Sequence, residues 1–168
     1  MSRRFVIEAV MVAIYGQLLK PGRQVEYFIP YTTILELYDM KDGSEPVMPD
    51  EDEDRHVKEK IGELIEFFEI PLNRKKIERA LMQPWRKSPP LIVNDEVTFT
   101  VINAVENAQY GEGFDPVETE LILTSQREQA PIITDQYEFL DKIVEGDVPV
   151  QAYDIEDFEF AVEEGLTL

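Results

Sequence analysis

Four acidic residues of this sequence lie where an α/β sheet would place a site. Glu8 and Asp135 each follow a short apolar run that predicts a β-strand, and Glu36 and Glu118 lie within the first two turns of predicted helices. Because ligand sites form outside the carboxyl ends of parallel strands, these carboxylates converge if the strands that carry them are neighbours. They would repel one another unless a divalent cation lay among them, and Mg²⁺ ions there would activate water for displacement at phosphorus.

Glu8 is the single acid in the apolar run Phe5–Tyr15. A run this apolar must be covered on both sides, either as a central strand or as a helix packed in the core. A carboxylate buried there without a partner is costly, so the position of Glu8 needs an explanation. Two interpretations are open: the run reaches the surface at Glu8 because the strand ends there, or Glu8 lines a metal site together with other acids.

The composition narrows the class of protein and of site. The length of 168 residues predicts one domain whose core buries roughly 70% of the unfolded surface. The absence of cysteine excludes disulfides and thiolate chemistry and favours the cytoplasm, and the single histidine, His56, leaves oxygen ligands for any metal. No segment approaches the ~20 apolar residues of a membrane span, so we expect no membrane partner.

The charge distribution bears on the partners. The formal net charge of -19 repels nucleic acid unless positive charge is gathered locally, and it suits a basic protein partner. Positive charge is gathered around one tryptophan, in a set that we call the basic cluster: Arg74, Lys75, Lys76, Arg79, Trp85, Arg86 and Lys87. The cluster is either a solvated helix face or a nucleic-acid contact in which Trp85 stacks on bases while the cations bind phosphates.

The order of predicted elements is that of an α/β sheet. A strand at Phe5–Ile7 leads into a helix over Val10–Leu19, and a second strand at Gln24–Ile29 leads into a helix over Thr33–Met40. This alternation indicates parallel strands. For the whole chain we expect a three-layer, mostly parallel central sheet of about five strands flanked by helices.

The region 41–88 is longer and more charged than the rest, and it predicts an addition to the domain. It consists of an exposed acidic loop over 41–54 and two helices, the second from Asn73. After a strand at Leu91–Val93, a helix capped by Asn94 or Asp95 is predicted, with Val97, Val101, Ile102 and Val105 facing the core and Gly111 and Gly113 at its end. The remaining predictions are a helix from Asp115, strands at Pro131–Thr134 and Val148–Ala152, and helices at Tyr137–Val144 and around Phe158.

Four segments share their order and spacing with one known family, and they are Phe5–Val10, Phe28–Leu37, Asp115–Asp135 and Ile155–Phe158. Together they resemble a PIN domain, the small metal-dependent nuclease fold related to flap endonucleases. The first looks like that family's opening strand, which ends in Asp-Thr/Ser-Asn, and the second like its strand, proline and helix ending in Glu-Leu. The third is similar to a helix that starts with a metal-binding Asp and leads into Leu-Val-Thr-Asn-Asp. The resemblance implies a ribonuclease dependent on Mg²⁺ or Mn²⁺.

The resemblance implies metal ligands at Glu8, Glu36, Asp115, Glu118 and Asp135, and catalytic roles for all of these except Asp115. Only Glu36 matches the family pattern. Glu8 and Glu118 each replace an Asp, with Asp115 as a substitute one turn earlier, and Ala9 replaces a hydroxyl residue. The second acid expected after Thr134 is either displaced to Asp135 or lost at Gln136. An Asp→Glu change moves a ligand oxygen by about an ångström, which is more than metal catalysis tolerates. The site has therefore either re-formed with longer side chains or decayed, and we expect a weakened or degenerate acidic site.

Three hypotheses follow. The first is a PIN-like domain with a weak Mg²⁺ or Mn²⁺ site, with the basic cluster on its rim to steer RNA. The second is the same fold as a non-catalytic protein-binding module, whose acidic surface and 41–54 loop meet a basic partner. The third is an unrelated α/β domain in which the four acids never meet. A homodimer through the apolar end Phe68–Leu72 also stays open.

Overall fold

The computed structural model describes residues 3–105 and 113–163. The chain is α/β, with a mostly parallel open sheet and helices on both of its faces, which confirms the fold class predicted from the sequence. The described residues form six strands, one more than predicted. Among the helices in these ranges, none has the length and apolar character needed to cross a membrane.

The elements alternate along the chain as the sequence indicates. The strands are β1 (Arg3–Val6), β2 (Val25–Pro30), β3 (Leu91–Ile92), β4 (Val97–Ile102), β5 (Ile132–Ile133) and β6 (Ala152–Tyr153). The helices are α1 (Val10–Ile14), α2 (Tyr31–Asp42), α3 (Glu51–Glu69), α4 (Pro71–Ala80), α5 (Pro116–Glu128), α6 (Tyr137–Glu145) and α7 (Ile155–Glu163). A short 3₁₀ turn, Gly16–Leu19, follows α1, so the single helix predicted over Val10–Leu19 is divided in two.

The sheet reverses its direction of growth next to β1. The spatial order is β3-β4-β2-β1-β5-β6, and every pair is parallel except the antiparallel pair β3–β4. The chain therefore builds the sheet outward from β1 on one side and then crosses over to add β5 and β6 on the other. In such sheets the crevice for a ligand opens at the carboxyl ends of the two strands that flank the reversal, here β1 and β5.

Successive residues of the central strands face two separate cores, because side chains alternate along a strand. Phe5 packs on one face, with ring centroids 5.0 Å from Phe158 and 6.4 Å from Tyr27. This core lies under α1 to α4 and α7. Val6 and Phe28, the neighbours of Phe5 and Tyr27 in sequence, lie in the second core, under α5 and α6. The apolar start of the chain is thus a central strand covered on both sides.

The helix predicted after Asn94 is wrong, since this segment is strand β4. The carboxamide oxygen of Asn94 accepts the backbone N–H groups of Glu96 (2.8 Å) and Val97 (2.9 Å), and this turn sends the chain back along β3. The apolar spacing also fits a helix, but pairing with β2 on one side and β3 on the other selects the strand. Val105 is exposed, and Gly111, the predicted end of this unit, lies outside the described residues.

The predicted loop over 41–54 is only partly a loop. Helix α2 continues to Asp42, and α3 begins at Glu51 with Asp50 as its cap, so the last acids of the run form a helical first turn. Carboxylates are favourable there because they interact with the positive end of the helix dipole. The carboxylate of Asp54 accepts the backbone N–H groups of Val47 (2.6 Å) and Met48 (3.1 Å), and both side chains are half-buried.

The aromatic cluster around Phe158 generates a test of this architecture. We expect Phe158→Ala to lower the free energy of unfolding by about 3–5 kcal/mol, because it removes a buried ring from the core beneath β1. Phe160→Ala in the same helix is the matched control, since that ring is 58% exposed and its loss should change stability by less than about 1 kcal/mol. Urea unfolding measures both; equal losses would contradict the assignment of the two helix faces.

Candidate acidic site at the carboxyl edge of the sheet

Glu8 lies directly after β1, at the reversal point of the sheet. The strand pairing continues to Ile7, whose N–H donates to the carbonyl of Phe28 (3.0 Å). Two residues further on, the N–H of Ala9 donates to the buried hydroxyl of Thr33 (3.0 Å), which in turn donates to the carbonyl of Pro30 (2.8 Å). The turn after β1 is thereby fixed to the start of α2. The side chain of Glu8 is half-buried, and so is that of Glu36 on α2.

Asp135 lies directly after β5 and is held by Tyr15, which is not among the site residues predicted from the sequence. The phenol of Tyr15 donates a 2.9 Å hydrogen bond to Oδ2 of Asp135. Burial, together with this hydrogen bond to the carboxylate, raises the pKa of Tyr15 to about 12. Tyr15 is therefore a neutral donor at any physiological pH. One carboxylate of the candidate site is already bound by the protein.

Asp115 and Glu118 form the N-terminus of α5. Oδ1 of Asp115 accepts the N–H of Glu118 (2.7 Å), and Oε1 of Glu118 accepts the N–H of Asp115 (3.0 Å), which is a reciprocal capping box. Glu118 Oε1 also lies 2.8 Å from Nζ of Lys142 on α6. The hydrogen bond to Glu118 raises the pKa of Lys142, which is consequently charged. Lys142 was not predicted at this site, because it lies 24 residues from its partner in the chain.

The carboxylates interact with one another through space. The pKa of Glu8 is raised to about 7, chiefly by burial and then by repulsion from Glu36, Asp135, Asp115 and Glu118 in that order. The pKa of Glu36 is also raised, first by burial and then by the charge of Asp115. The structure thus brings all five acids named from the sequence to one end of the sheet, within electrostatic range of Glu8.

The arrangement does not fit a resident divalent ion as it stands. Within residues 3–105 and 113–163, no group of three acidic or imidazole side chains has the geometry to hold a metal. Asp135 accepts from Tyr15, Asp115 caps its helix and Glu118 binds Lys142, so a metal would have to displace partners of three of the five acids. Neither Glu8 nor Glu36 has a hydrogen-bonding or ion-pairing side chain on its carboxylate among the described residues.

An open cleft of about 630 Å³ borders the acids. Glu8 and Asp135 lie on one side of it, and the segment between α2 and α3 lies on the other. Two further acids, Asp39 and Glu45, line it, and so do apolar side chains from both walls. The cleft therefore combines negative charge with apolar walls.

Trp85 and Lys87 of the basic cluster lie at the lateral edge of the sheet on the β3 side. Trp85 and Lys87 run antiparallel to the end of β4, since the N–H of Trp85 donates to Asn103 (2.8 Å) and Lys87 bridges Ile102. From that edge to β1 there are three strand spacings, about 14 Å. None of the seven predicted residues lines the acidic cleft.

Several members of the basic cluster have partners within the fold. Lys87 pairs with Glu128 (3.0 Å), and Lys76 donates to the carbonyl of Pro90 (2.7 Å). The guanidinium of Arg127 lies 4.5 Å from the ring centre of Trp85, where it covers one face of the indole. Arg74 forms only a long, exposed pair with Glu78 (3.7 Å). Lys75, Arg79 and Arg86 are exposed.

Comparison with known proteins supplies no family for this chain. No family model matches it, and no curated protein sequence is significantly similar to it. The likeness to PIN domains therefore stays a resemblance of segment order and spacing, and the site has to be interpreted from its own geometry.

The raised pKa of Glu8 generates a prediction about stability. Its folded-state pKa of about 7 lies above the ordinary value of 4.5, so ionised Glu8 destabilises the fold, and this cost grows as the pH rises from about 4.5 to about 7. We expect Glu8→Gln to be more stable than wild type at pH 8 by about 2–3 kcal/mol, and by much less at pH 5.

Urea unfolding of both proteins at the two pH values measures this difference. Glu66→Gln is the matched control, because Glu66 is exposed on α3 and its loss should change stability little and equally at both values. A Glu8→Gln protein that is less stable than wild type at pH 8 would mean that ionised Glu8 has a favourable partner in the fold.

Proposed function

We propose that this chain is a PIN-like domain whose acidic site is degenerate and does not support efficient metal-dependent cleavage of RNA. The order of elements and the position of Glu8 and Asp135 beside the reversal of the sheet support a common plan with the nucleases. Its composition, without cysteine, favours a cytoplasmic protein.

The observation that carries the proposal is the contact between Lys142 and Glu118. An ammonium group 2.8 Å from Oε1 provides positive charge at the acid that the resemblance assigns to a metal. A divalent ion would have to compete with this pair and with the hydrogen bond from Tyr15 to Asp135. Both competitors are attached to the protein, so their effective concentration is high.

Protonation of Glu8 works in the same direction. With a pKa of about 7, its carboxyl group holds a proton in about half of the molecules at neutral pH. A metal ligand must be deprotonated, so binding would also have to release this proton. The expected affinity for Mg²⁺ or Mn²⁺ is low.

The second candidate function is a protein-binding module with the same fold. The observation that favours it is the cleft, in which acids lie between apolar walls. RNA is polyanionic and would be repelled by a chain of net charge -19, whereas a basic protein would be attracted. This function needs neither a bound metal nor turnover.

Thermal unfolding in Mn²⁺ tests whether the site is degenerate. We expect wild type to be nearly insensitive, because at 1 mM Mn²⁺ a Kd of about 10 mM stabilises by less than about 0.1 kcal/mol. Lys142→Met removes the competing cation and should give a rise in Tm that depends on Mn²⁺ concentration. The rise should disappear in the double variant Lys142→Met/Glu36→Gln. Lys60→Met, which removes an exposed pair with Glu63, is the matched control.

Tight binding of Mn²⁺ by wild type would be the opposite result. A wild-type Kd near 10 μM would stabilise by about 2.7 kcal/mol at 1 mM Mn²⁺. If that stabilisation is seen, and if wild type cleaves single-stranded RNA with Mn²⁺ while Glu36→Gln does not, the site is an active nuclease centre and the proposal of a degenerate site is wrong.

A further inference from the structure

The wall of the acidic cleft is a segment with open space on both of its sides. We call the residues Gly43–Asp50, between α2 and α3, the strap. The strap borders the acidic cleft of about 630 Å³ and also a second cleft of about 640 Å³. Pro46, Met48 and Pro49 line both clefts. The strap therefore borders open space in both clefts.

The strap is nonetheless fixed in place. Asp54 accepts two of its N–H groups, and the side chains of Val47 and Met48 contact the main core. At its beginning, the N–H of Gly43 donates to the carbonyl of Asp39 (2.8 Å), and a Cβ at position 43 would lie only 2.7 Å from that oxygen. Any other residue at position 43 would force the strap to shift. The cleft thus has a preformed wall, which reduces the entropic cost of binding.

The lining of the cleft has two kinds of surface in a fixed arrangement. Glu8 and Asp135 lie at the sheet edge, and Met48 of the strap and Val10 of α1 supply apolar surface beside them. A metal ion alone would gain nothing from the apolar walls, and a nucleic-acid backbone would be repelled by the acids. Lysine and arginine side chains complement both kinds of surface, because an aliphatic stem ends in a cation.

We propose that the acidic cleft binds a lysine- or arginine-bearing segment of a partner protein, with the cation at Glu8 and Asp135 and the aliphatic stem against Met48 and Val10. This inference rests on the second candidate function above and names its binding site. The cation takes the place beside Glu8 that no described side chain fills. The net charge of -19 increases the rate of encounter with such a basic segment.

The test uses the full chain at pH 8, where Glu8 is ionised, and a short fluorescein-labelled peptide that alternates lysine with alanine and leucine. A second peptide with glutamine at the lysine positions shows whether the cation is needed. Fluorescence anisotropy should show that the lysine peptide binds and that the glutamine peptide does not. Glu8→Gln should weaken it at least about tenfold, since it removes the charge at the end of the cleft. Met48→Ser should weaken it several-fold through the lost apolar contact.

Matched variants outside the cleft separate specific binding from general attraction. Glu66→Gln removes one charge from α3, about 24 Å along the helix from Asp50, and Met82→Ser removes a methionine that is 73% exposed. Both should bind the peptide as wild type does. Equal weakening by Glu66→Gln and Glu8→Gln would overturn the proposal, and so would failure of wild type to bind the lysine peptide. A normal melting temperature for each variant confirms that it is folded.

Two competitors, Mn²⁺ and single-stranded RNA, separate a failure of the cleft inference from a failure of the degenerate-site proposal. Displacement of the peptide by micromolar Mn²⁺ would show that the cleft is a metal site, and the degenerate-site proposal would fail. Absence of peptide binding in a protein that also ignores Mn²⁺ would overturn the cleft inference alone. Displacement of the peptide by single-stranded RNA would assign the cleft to RNA and overturn the cleft inference. Release of the peptide when the protein self-associates, observed by size-exclusion chromatography, would assign the cleft to a second copy of the chain and overturn the inference too.

Discussion

Repulsion among carboxylates at one edge of the sheet is the constraint on which the rest of the site depends. The apolar residues around Glu8 are buried on both faces of a central strand, so Glu8 cannot move away from the reversal point without exposing the core. The opposite end of the cluster is fixed as well, because Asp115 and Glu118 cap α5. The fold therefore has to offset this repulsion in place.

It does so by three different means. Lys142 supplies a positive charge to Glu118, and Tyr15 donates a neutral hydrogen bond to Asp135. At Glu8 the raised pKa lets a proton remove the charge. Each means relieves repulsion without a metal, and each lowers the number of charged oxygens that a metal could use. Stability and metal affinity are thus in opposition at this edge of the sheet.

Much of the fold was predictable because its signals are local. The apolar run at Phe5–Ile7 indicates the opening strand, and Asp115 indicates the start of α5. Glu8 and Asp135 were identified as candidate site residues because each follows a predicted strand. Strand β4 was not predictable, because its apolar spacing fits both a helix and a strand until β2 and β3 pair with it. Tyr15 and Lys142 were missed for a related reason: they lie 120 and 24 residues from the acids they bind. No local pattern marks such contacts.

If the chain is a degenerate PIN-like domain, the strap gives a physical reason why its acidic site would suit a larger cation better than a metal. A metal needs several oxygens converging on one point, and this convergence fails once Lys142 and Tyr15 occupy Glu118 and Asp135. An ammonium or guanidinium group on a flexible stem needs only one or two carboxylates and an apolar surface for the stem. The strap provides that surface, and the bonds from Asp54 keep it beside Glu8. On the proposals above, the same end of the sheet is poorly suited to metal-dependent catalysis and well suited to recognition of a basic side chain.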